Sequence, residues 1–368
     1  MSDSTTIPLA RPSISDAERS AAQRVLSGTQ LTGGPELLRF EALLAQQSQR
    51  EHALAVSSGT SALELALWSL DISAGDNVLV TAFGFPAAAN LIAARGAIPV
   101  AIDVREDSWL MDFDLARQAI DQHTKAIVTI DQLGAVTRAA DIDALERECG
   151  LPVISDAACG LAGSDEDGQV AGHAGRMATF SFHPRKVITT GEGGAIVCDD
   201  EELAIRLRQL RNHGQRGGGR FASPGTNARL AELPCAIGCA QLARLESMQA
   251  ERQMLVEGYK ERLAALASDG LLSWQELPEG AVHANQSFAI CLNESSNREQ
   301  VIASLRDEKR VECGVATYSF AEIEIHDGLL PAPNAKALHH RAIALPLYVG
   351  MRSTELSRVS DALEAVLR

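Results

Sequence analysis

The chain alternates short apolar runs with amphipathic stretches through its first two thirds. The runs are rich in β-branched residues and show little polar alternation, which is typical of strands buried on both faces of a sheet. They predict strands at Ala53–Val56, Val78–Thr81, Ile98–Ile102, Ala126–Ile130, Pro152–Ser155, Ala178–Ser181 and Ala195–Val197. Helical patterns lie between them, at Ser61–Leu70, Phe113–Ile120 and Ile142–Cys149. The pattern therefore predicts an α/β domain with a mostly parallel sheet.

The pattern becomes helical after Arg229. The segment up to residue 266 is either one helix broken near Pro234 or two helices in sequence. Beyond it, a strand at Ser287–Leu292 and helices at Arg298–Asp307 and Thr354–Val366 indicate a smaller α+β domain. A chain of 368 residues is long enough for two domains. We place the large α/β domain at residues 1–245 and the small one at residues 246–368.

Charge and composition limit the partners of this protein. A formal net charge of -15 argues against general affinity for nucleic acid or for an anionic membrane. The sequence contains neither a signal peptide nor an apolar run of the length that spans a bilayer, about 18 residues or more. We therefore expect a cytoplasmic protein with no nucleic-acid or membrane partner.

The cysteines also favour a reducing compartment. Their number, seven, is odd, and they are scattered along the chain, which is typical of free cytosolic thiols rather than a disulfide framework. Cys235 and Cys239 lie four residues apart on a predicted helix and could share a face. They are either core residues or half of a metal site, and because no second ligand pair accompanies them we expect no metal.

The first candidate for chemistry is the segment Ser57–Ser61, which follows a predicted strand and begins a predicted helix. Small residues at a helix start expose backbone N–H groups, and the helix dipole favours an anion there, so a phosphate could bind. An ordinary serine N-cap without a ligand would give the same pattern.

Two further candidates lie at other strand ends. Asp156 ends a predicted strand, where a carboxylate either caps a turn or pairs with a cationic ring nitrogen of a bound cofactor. Phe85, in the segment after another strand, either stacks on a planar ligand or packs in the core.

The fourth candidate is Lys186, which follows the strand ending near Ser181 and precedes the glycine-rich segment TTGEGG. It is either a surface lysine beside a turn or a reactive amine. The glycines would form a backbone bend that passes close to a cofactor.

Together these groups describe a site for pyridoxal phosphate. A lysine binds the aldehyde of this cofactor, a phosphate-binding turn anchors one end, and a carboxylate keeps the pyridine nitrogen protonated so that the ring accepts electrons. The common nucleotide-binding motifs are missing, since the sequence has no GxxxxGK[ST] loop and no dinucleotide fingerprint after its first strand.

The chain resembles the DegT/DnrJ/EryC1/StrS family of sugar aminotransferases, which are fold type I pyridoxal phosphate enzymes. The resemblance extends over nearly the whole chain in the expected order. The matching segments are LTGGPELLRFEALLA, HALAVSSGTSALELAL, DAA at 156–158, TFSFHPRKVITTGEGGAIVCDDEELAIRLRQLRNHG, NARLAELPCAIGCAQLARL and ALPLYVG.

The resemblance implies a fold type I architecture, in which a large domain with a mostly parallel seven-stranded sheet flanked by helices precedes a smaller C-terminal α+β domain. It also implies that Lys186 carries the internal aldimine and then shuttles a proton, while Asp156 pairs with the pyridine nitrogen.

The same resemblance implies the other contacts of the cofactor. Phe85 would lie over the ring, and Gly59, Thr60, Ser61 and Ser181 would hold the phosphate. Asn227 would reach that phosphate from the partner subunit, so the site would require a homodimer.

Substrate contacts are less defined by the resemblance. His183 matches the pattern SFHPxK, and a structural role is its alternative. Arg229 could hold a carboxylate or diphosphate, or could be a helix arginine in a salt bridge. Further substrate residues are expected in the loops Gln215–Arg220 and Thr317–His326, the second of which contains Tyr318.

Three positions depart from the family pattern. Cys159 stands where glutamine or histidine commonly follows DAA, so the usual contact with the ring hydroxyl of the cofactor is absent or supplied elsewhere. Leu133–Ala135 replaces a common YGQ, and Thr226 replaces a common tyrosine. These changes leave the cofactor chemistry in place but weaken any transfer of substrate identity.

The sequence thus predicts a pyridoxal phosphate-dependent aminotransferase with pyridoxamine phosphate as its intermediate form. The expected reaction transfers an amino group from glutamate or glutamine to a keto group of a nucleotide-linked keto-deoxysugar by a ping-pong mechanism. A keto-cyclitol or another ring ketone is the alternative acceptor. A cofactor-binding regulator without catalysis is the alternative from another class.

Overall fold

The computed structural model describes residues 5–323 and 331–368. Its strands fall into a large sheet, a smaller sheet and one short pair. They are β1 His52–Val56, β2 Asn77–Thr81, β3 Phe83–Gly84, β4 Ile98–Ile102, β5 Thr124–Ile130, β6 Val153–Asp156, β7 Met177–Ser181, β8 Gly194–Cys198, β9 Leu272–Trp274, β10 Phe288–Leu292, β11 Gly314–Val315, β12 Tyr318–Ser319 and β13 Ala342–Leu345.

The helices cover both faces of the large sheet and one side of the smaller one. They are α1 Asp16–Leu26, α2 Pro35–Ser48, α3 Gly59–Ser69, α4 Ala87–Ala94, α5 Phe113–Ala119, α6 Ala139–Cys149, α7 Glu201–Arg211, α8 Glu232–Leu242, α9 Leu245–Ser268, α10 Arg298–Ala303, α11 Pro333–Arg341 and α12 Ser353–Leu367.

The large sheet has the strand order β1-β8-β7-β6-β5-β2-β4. All neighbours are parallel except β8, which runs antiparallel to β1 and β7. The seven predicted strands are therefore confirmed. Because the other strands share one direction, β1, β2, β5, β6 and β7 all end at the same edge of the sheet, where ligands of such folds bind.

Apolar side chains on the two faces of this sheet form separate cores. One core lies between the sheet and α3 and α7, and contains Leu54, Val80 and Val128. A second core lies under α2 and α8. Cys235 and Cys239 are buried in this second core, so core packing accounts for their shared helix face.

Helices α8 and α9 decide between the two alternatives predicted for this segment. The chain forms two helices in sequence, as one alternative proposed, but the break falls at Ala243 and Arg244 rather than near Pro234. Pro234 lies in the first turn of α8, where a missing backbone N–H costs no intrahelical hydrogen bond.

The C-terminal part is built on an antiparallel sheet of order β11-β13-β10-β9. Its apolar face packs with α9 and α12 around Tyr259, Ile290 and Val359. Ile7 pairs with Val311 and joins this core, so the N-terminal segment contributes to it as well. The boundary between residues 245 and 246 stays a prediction, although α9 begins there.

A pair of two-residue strands joins the two parts. β12 pairs with β3, so that Tyr318 lies opposite Gly84 and Ser319 opposite Phe83. Phe320 then packs in the core of the large sheet, and its backbone N–H donates to the Ala82 carbonyl over 2.9 Å. This pairing brings the segment around Tyr318 to the edge of the large sheet at which β2 ends.

Candidate active site at the carboxyl edge of the large sheet

The strand ends bring together the residues singled out from the sequence. Asp156 is the last residue of β6, and Ser181 is the last residue of β7. The turn beginning at Ser57 follows β1 directly. Lys186 lies five residues beyond the end of β7, in the loop that leads to β8.

The turn from Ser57 to Ser61 is a capped helix start. Ser58 is the N-cap of α3, and its Oγ accepts a hydrogen bond of 3.0 Å from the Ser61 N–H. The Ser61 Oγ lies 3.0 Å from the Oγ atoms of both Ser57 and Ser58. The first N–H groups of a helix have no partner within the helix. The N–H groups of Gly59 and Thr60 therefore form, with the serine hydroxyls, a set of donors suited to phosphate.

Gly59 fits this turn against the neighbouring strand β7. A Cβ atom at position 59 would lie 2.7 Å from the Ser181 Cβ, which is too close for any side chain. The turn of α3 and the end of β7 are therefore in contact, and they bring Ser181 to the proposed phosphate site.

The glycines that follow Lys186 form a bend and allow the chain to pack closely on the Ser57–Ser61 turn. Gly191 has a positive φ of 86°, as the predicted bend requires. At Gly194 a Cβ atom would lie 2.4 Å from the Ser58 carbonyl oxygen. Gly194 therefore lacks a side chain because its backbone lies against the backbone of the Ser57–Ser61 turn.

Asp156 is a buried carboxylate with few protein partners. Its Oδ1 accepts hydrogen bonds from the Ala158 N–H over 3.1 Å and from the Thr179 hydroxyl over 3.4 Å. Burial raises the pKa of this carboxyl, and the nearby Lys186 ammonium opposes that rise. A cationic ring nitrogen bound against Asp156 would stabilise the ionised form in the same way.

The amine of Lys186 points back to the turn that follows Asp156. Its Nζ donates a hydrogen bond of 3.0 Å to the Sγ of Cys159. The backbone of the lysine is fixed by a hydrogen bond of 2.8 Å from its N–H to the His183 carbonyl. The lysine, Asp156 and Cys159 therefore form one cluster at the ends of β6 and β7.

Two exposed aromatic side chains lie near the carboxyl edge of the large sheet. Phe85 is 69% exposed, so the alternative of a core aromatic is wrong. Tyr318 is 41% exposed and pairs with Gly84, the residue before Phe85. The ring of Tyr318 lies 5.9 Å from that of His339. Residues 324–326 of the predicted loop Thr317–His326 lie outside the described residues.

Other candidates surround the site without joining the cluster. Asn227 is exposed and forms a bridge with Asn212, and its own side chain makes no hydrogen bond to any residue that the structure describes. His183 is exposed, and its Nδ1 accepts a hydrogen bond from the Arg185 N–H.

Arg229 is not a salt-bridged helix residue, which was the alternative prediction, in the part of the chain that the structure describes. It lies in the extended segment before α8 and forms a bridge with Val56 at the end of β1. Its Nη1 donates to the Oδ1 of Asn212 over 2.6 Å, and within 5–323 and 331–368 it has no acidic partner. A guanidinium without an acid remains available to an anionic substrate group.

The positions that depart from the family pattern lie close to this edge. Leu133 is buried with a positive φ of 60°, and a Cβ atom at Gly134 would lie 2.9 Å from the backbone N of Asn285. The loop at 133–135 therefore packs against the segment around His283. Thr226 is half-buried, and its backbone pairs with Leu210 and His213.

Asp131, which the sequence patterns did not single out, is a second buried carboxyl beside Asp156. Its N–H donates to the Asp156 carbonyl over 3.0 Å, and its Oδ1 accepts from the Thr137 N–H over 2.9 Å. Its Oδ2 is buried and has no partner among the described residues. Burial raises its pKa to about 7, and the charges of Asp156 and Asp165 add to this rise. The available signal was an aspartate directly after an apolar strand.

Thr179 is the other residue that sequence reasoning missed. It lies opposite Asp156 in the pairing of β6 with β7. Its position two residues before Ser181 on the same strand was a usable signal, because alternate residues of a strand share a face.

Comparison with known proteins shows which family this chain belongs to. The DegT/DnrJ/EryC1/StrS aminotransferase family matches residues 12–364. The chain belongs to this family. Among solved structures, DesV of S. venezuelae, in complex with a ketimine intermediate, is 30% identical over 99% of this chain and 100% of its own, with a TM-score of 0.90.

Two further structures share the fold. TlmJ, an aminotransferase of Streptoalloteichus hindustanus, is 27% identical over 98% of both chains, with a TM-score of 0.91. Spr1654 of Streptococcus pneumoniae, named as a sugar aminotransferase and solved with PLP, is 24% identical over 98% of both chains, with a TM-score of 0.91. The predicted family, the fold type I architecture and the class of pyridoxal phosphate-dependent aminotransferase are confirmed.

Proposed function

We propose that this enzyme transfers an amino group from glutamate or glutamine to a keto group of a nucleotide-linked keto-deoxysugar. The observation that carries the proposal is the cluster of Lys186, Asp156 and the Ser57–Ser61 turn at one sheet edge. The sugar class draws its support from the family and from the name of Spr1654.

The residues present fit pyridoxal phosphate. When bound, the cofactor supplies an electron sink that stabilises negative charge at the α-carbon of an amine. The N–H groups at the start of α3, with Ser61 and Ser181, would hold its phosphate. Asp156, buried and short of partners, would pair with its ring nitrogen, and the exposed face of Phe85 would cover its ring.

Lys186 supplies both the attachment and the proton transfer. Its Nζ would bind the cofactor covalently and, once a donor amine has displaced it, would move a proton to and from the α-carbon of the donor. Asp156 would stay ionised opposite the ring nitrogen throughout. Because donor and acceptor use the same lysine in turn, we expect ping-pong kinetics.

The substrate would bind over the exposed side of this cluster. Arg229, with no acidic partner among the described residues, would bind an anionic group of donor or acceptor, and Tyr318 and His183 would line the entrance. We infer that Asn227 completes the phosphate site from the partner subunit, so that the active unit is a homodimer. The cytoplasmic location stays a prediction; within the described residues, no helix combines the length and apolarity needed to cross a bilayer.

A half-reaction without acceptor tests the enzyme class. The cofactor-loaded enzyme should release the 2-oxo acid from glutamate or glutamine in proportion to its active sites and then stop. The Lys186→Arg variant should release none, because a guanidinium does not form the covalent bond to the cofactor. The loaded amine form should then be supplied with a panel of nucleotide-linked keto sugars and keto-cyclitols. Turnover of the cyclitols alone would exclude the proposed acceptor.

A further inference from the structure

The thiol of Cys159 is the hydrogen-bond partner of the Lys186 amine. The distance from Nζ to Sγ is 3.0 Å, and both side chains are half-buried. Within 5–323 and 331–368, the amine makes no second hydrogen bond and no ion pair. A side chain in contact with Nζ also borders the atoms that react there.

The position of Cys159 is fixed by its own turn rather than by the lysine. The Ala158 N–H is held by the Asp156 carboxylate, and the Gly160 N–H donates to the Ala157 carbonyl over 2.9 Å. A Cβ atom at Gly160 would lie 2.6 Å from the Asp131 Oδ2 and 2.9 Å from the Ala171 Cβ. The turn is therefore packed against Asp131, the residue after β5, and against Ala171, and it presents the thiol to the lysine as a rigid contact.

Cys159 differs from the other cysteines in its surroundings. Burial raises the pKa of five other thiols, those of Cys198, Cys235, Cys239, Cys291 and Cys313. The remaining one, Cys149, donates to the Leu145 carbonyl of its own helix over 2.8 Å. Among the cysteines of the described residues, Cys159 is thus the one whose Sγ accepts a hydrogen bond from a lysine amine.

We propose that Cys159 is a positioning residue for Lys186 and holds its amine whenever the amine is not bonded to the cofactor. The thiol accepts the hydrogen bond of the free amine and keeps it beside Asp156. Lys186 leaves this position to bind the cofactor and returns to it when a donor amine displaces it. The proposal rests on the proposed role of Lys186.

The pairing can be tested without any turnover. Cofactor-free enzyme is treated with iodoacetamide at pH 7, and the alkylated peptide containing Cys159 is measured by mass spectrometry over time. In Lys186→Met and Lys186→Gln, loss of the ammonium should slow the alkylation of Cys159 at least about threefold. The half-exposed Cys149 and Cys313 should react as in the wild type, which verifies the fold. Equal rates at Cys159 in wild type and both variants would overturn the proposal.

A second measurement tests the positioning role. The absorbance that forms when pyridoxal phosphate bonds to the lysine is followed after mixing. Cys159→Ala should form it about threefold to tenfold more slowly, while Cys159→Ser, which retains a hydrogen-bonding oxygen, should recover most of the rate. If both variants match the wild type, Cys159 does not position the lysine. If the wild type itself forms no such absorbance, the proposed function fails instead, and the alkylation experiment still tests the pairing.

Discussion

Gly59 and Ser181, which lie more than a hundred residues apart in sequence, are in contact at the proposed phosphate site. A Cβ atom at position 59 would lie 2.7 Å from the Ser181 Cβ. The close packing of the α3 turn on β7 gives the site its shape, because the N–H groups at the helix start and the Ser181 hydroxyl then converge.

Gly59→Ala should weaken cofactor binding. The added methyl group must push the turn away from β7 and so separate the phosphate donors. We expect the dissociation constant for pyridoxal phosphate to rise about tenfold, equivalent to about 1.4 kcal/mol. Gly258→Ala, in α9, is the matched control, since its Cβ atom would make an ordinary 3.4 Å contact with the Leu356 side chain of α12. An absorbance titration in which both variants bind like the wild type would exclude this role of Gly59.

Phe85 and Phe83 provide a second matched pair. Phe85 is 69% exposed at the site, whereas Phe83 is fully buried beside Trp109. Phe83→Ala should lower the free energy of unfolding by about 3–5 kcal/mol through the cavity that it creates. Phe85→Ala should leave the melting temperature of cofactor-free enzyme unchanged and instead weaken cofactor binding. A large loss of stability in Phe85→Ala would mean that its ring serves the fold.

The pH dependence of stability should report the buried carboxyl of Asp131. Its pKa in the folded protein is raised from 3.8 to about 7 by burial. The stabilisation from this group is therefore fully present below pH 3.8 and is lost as the pH rises through about 7. Asp131→Asn should not show that loss. Its free energy of unfolding should therefore exceed that of the wild type by on the order of 2–4 kcal/mol at pH 8.

Thermal unfolding of cofactor-free enzyme between pH 4.5 and 8 measures this effect. The melting temperature of Asp131→Asn should exceed that of the wild type at pH 8 and approach it at the acid end. The exposed Asp143→Asn serves as control and should follow the wild type throughout. A wild-type pH profile in Asp131→Asn would mean that the Asp131 carboxyl is ionised in the folded protein.

Mixed dimers test whether Asn227 acts across a subunit interface. Lys186→Met and Asn227→Asp should each be inactive alone, the second because a carboxylate repels the cofactor phosphate. A mixed dimer contains one Lys186→Met chain and one Asn227→Asp chain. If Asn227 acts in the partner's site, one of its two sites combines the native Lys186 of the second chain with the native Asn227 of the first. Such mixed dimers, isolated by two different affinity tags, should therefore be active. Inactive mixed dimers would place Asn227 in the site of its own chain, and an active Asn227→Asp variant would place it outside any site.

Much of the fold and part of the site follow from the sequence because they depend on local patterns. Buried apolar runs revealed the seven strands, and strand ends revealed Asp156, Ser181 and the Ser57–Ser61 turn. The pairing of Tyr318 with Gly84 depends on two-residue strands more than two hundred positions apart, which carry no local pattern. Tyr318 came into consideration only as a residue of the predicted substrate loop Thr317–His326.

The contacts around Asp156 could not be predicted because they depend on strand register and turn geometry. Thr179 meets Asp156 through the pairing of β6 with β7, and Asp131 lies beside it through β5. Cys159 was noted only as a departure from the family pattern. Its contact with Lys186 depends on how the turn after β6 packs against Asp131, which spacing along the chain does not reveal.

Identification of the lysine that binds the cofactor tests the central claim most directly. Enzyme loaded with pyridoxal phosphate is reduced with borohydride, digested and examined by mass spectrometry for the cofactor label. The label should lie on the peptide containing Lys186, and prior addition of glutamate should remove it. A label on Lys125, Lys260, Lys309 or Lys336, or a label at Lys186 that an amino donor does not displace, would contradict the proposed active site.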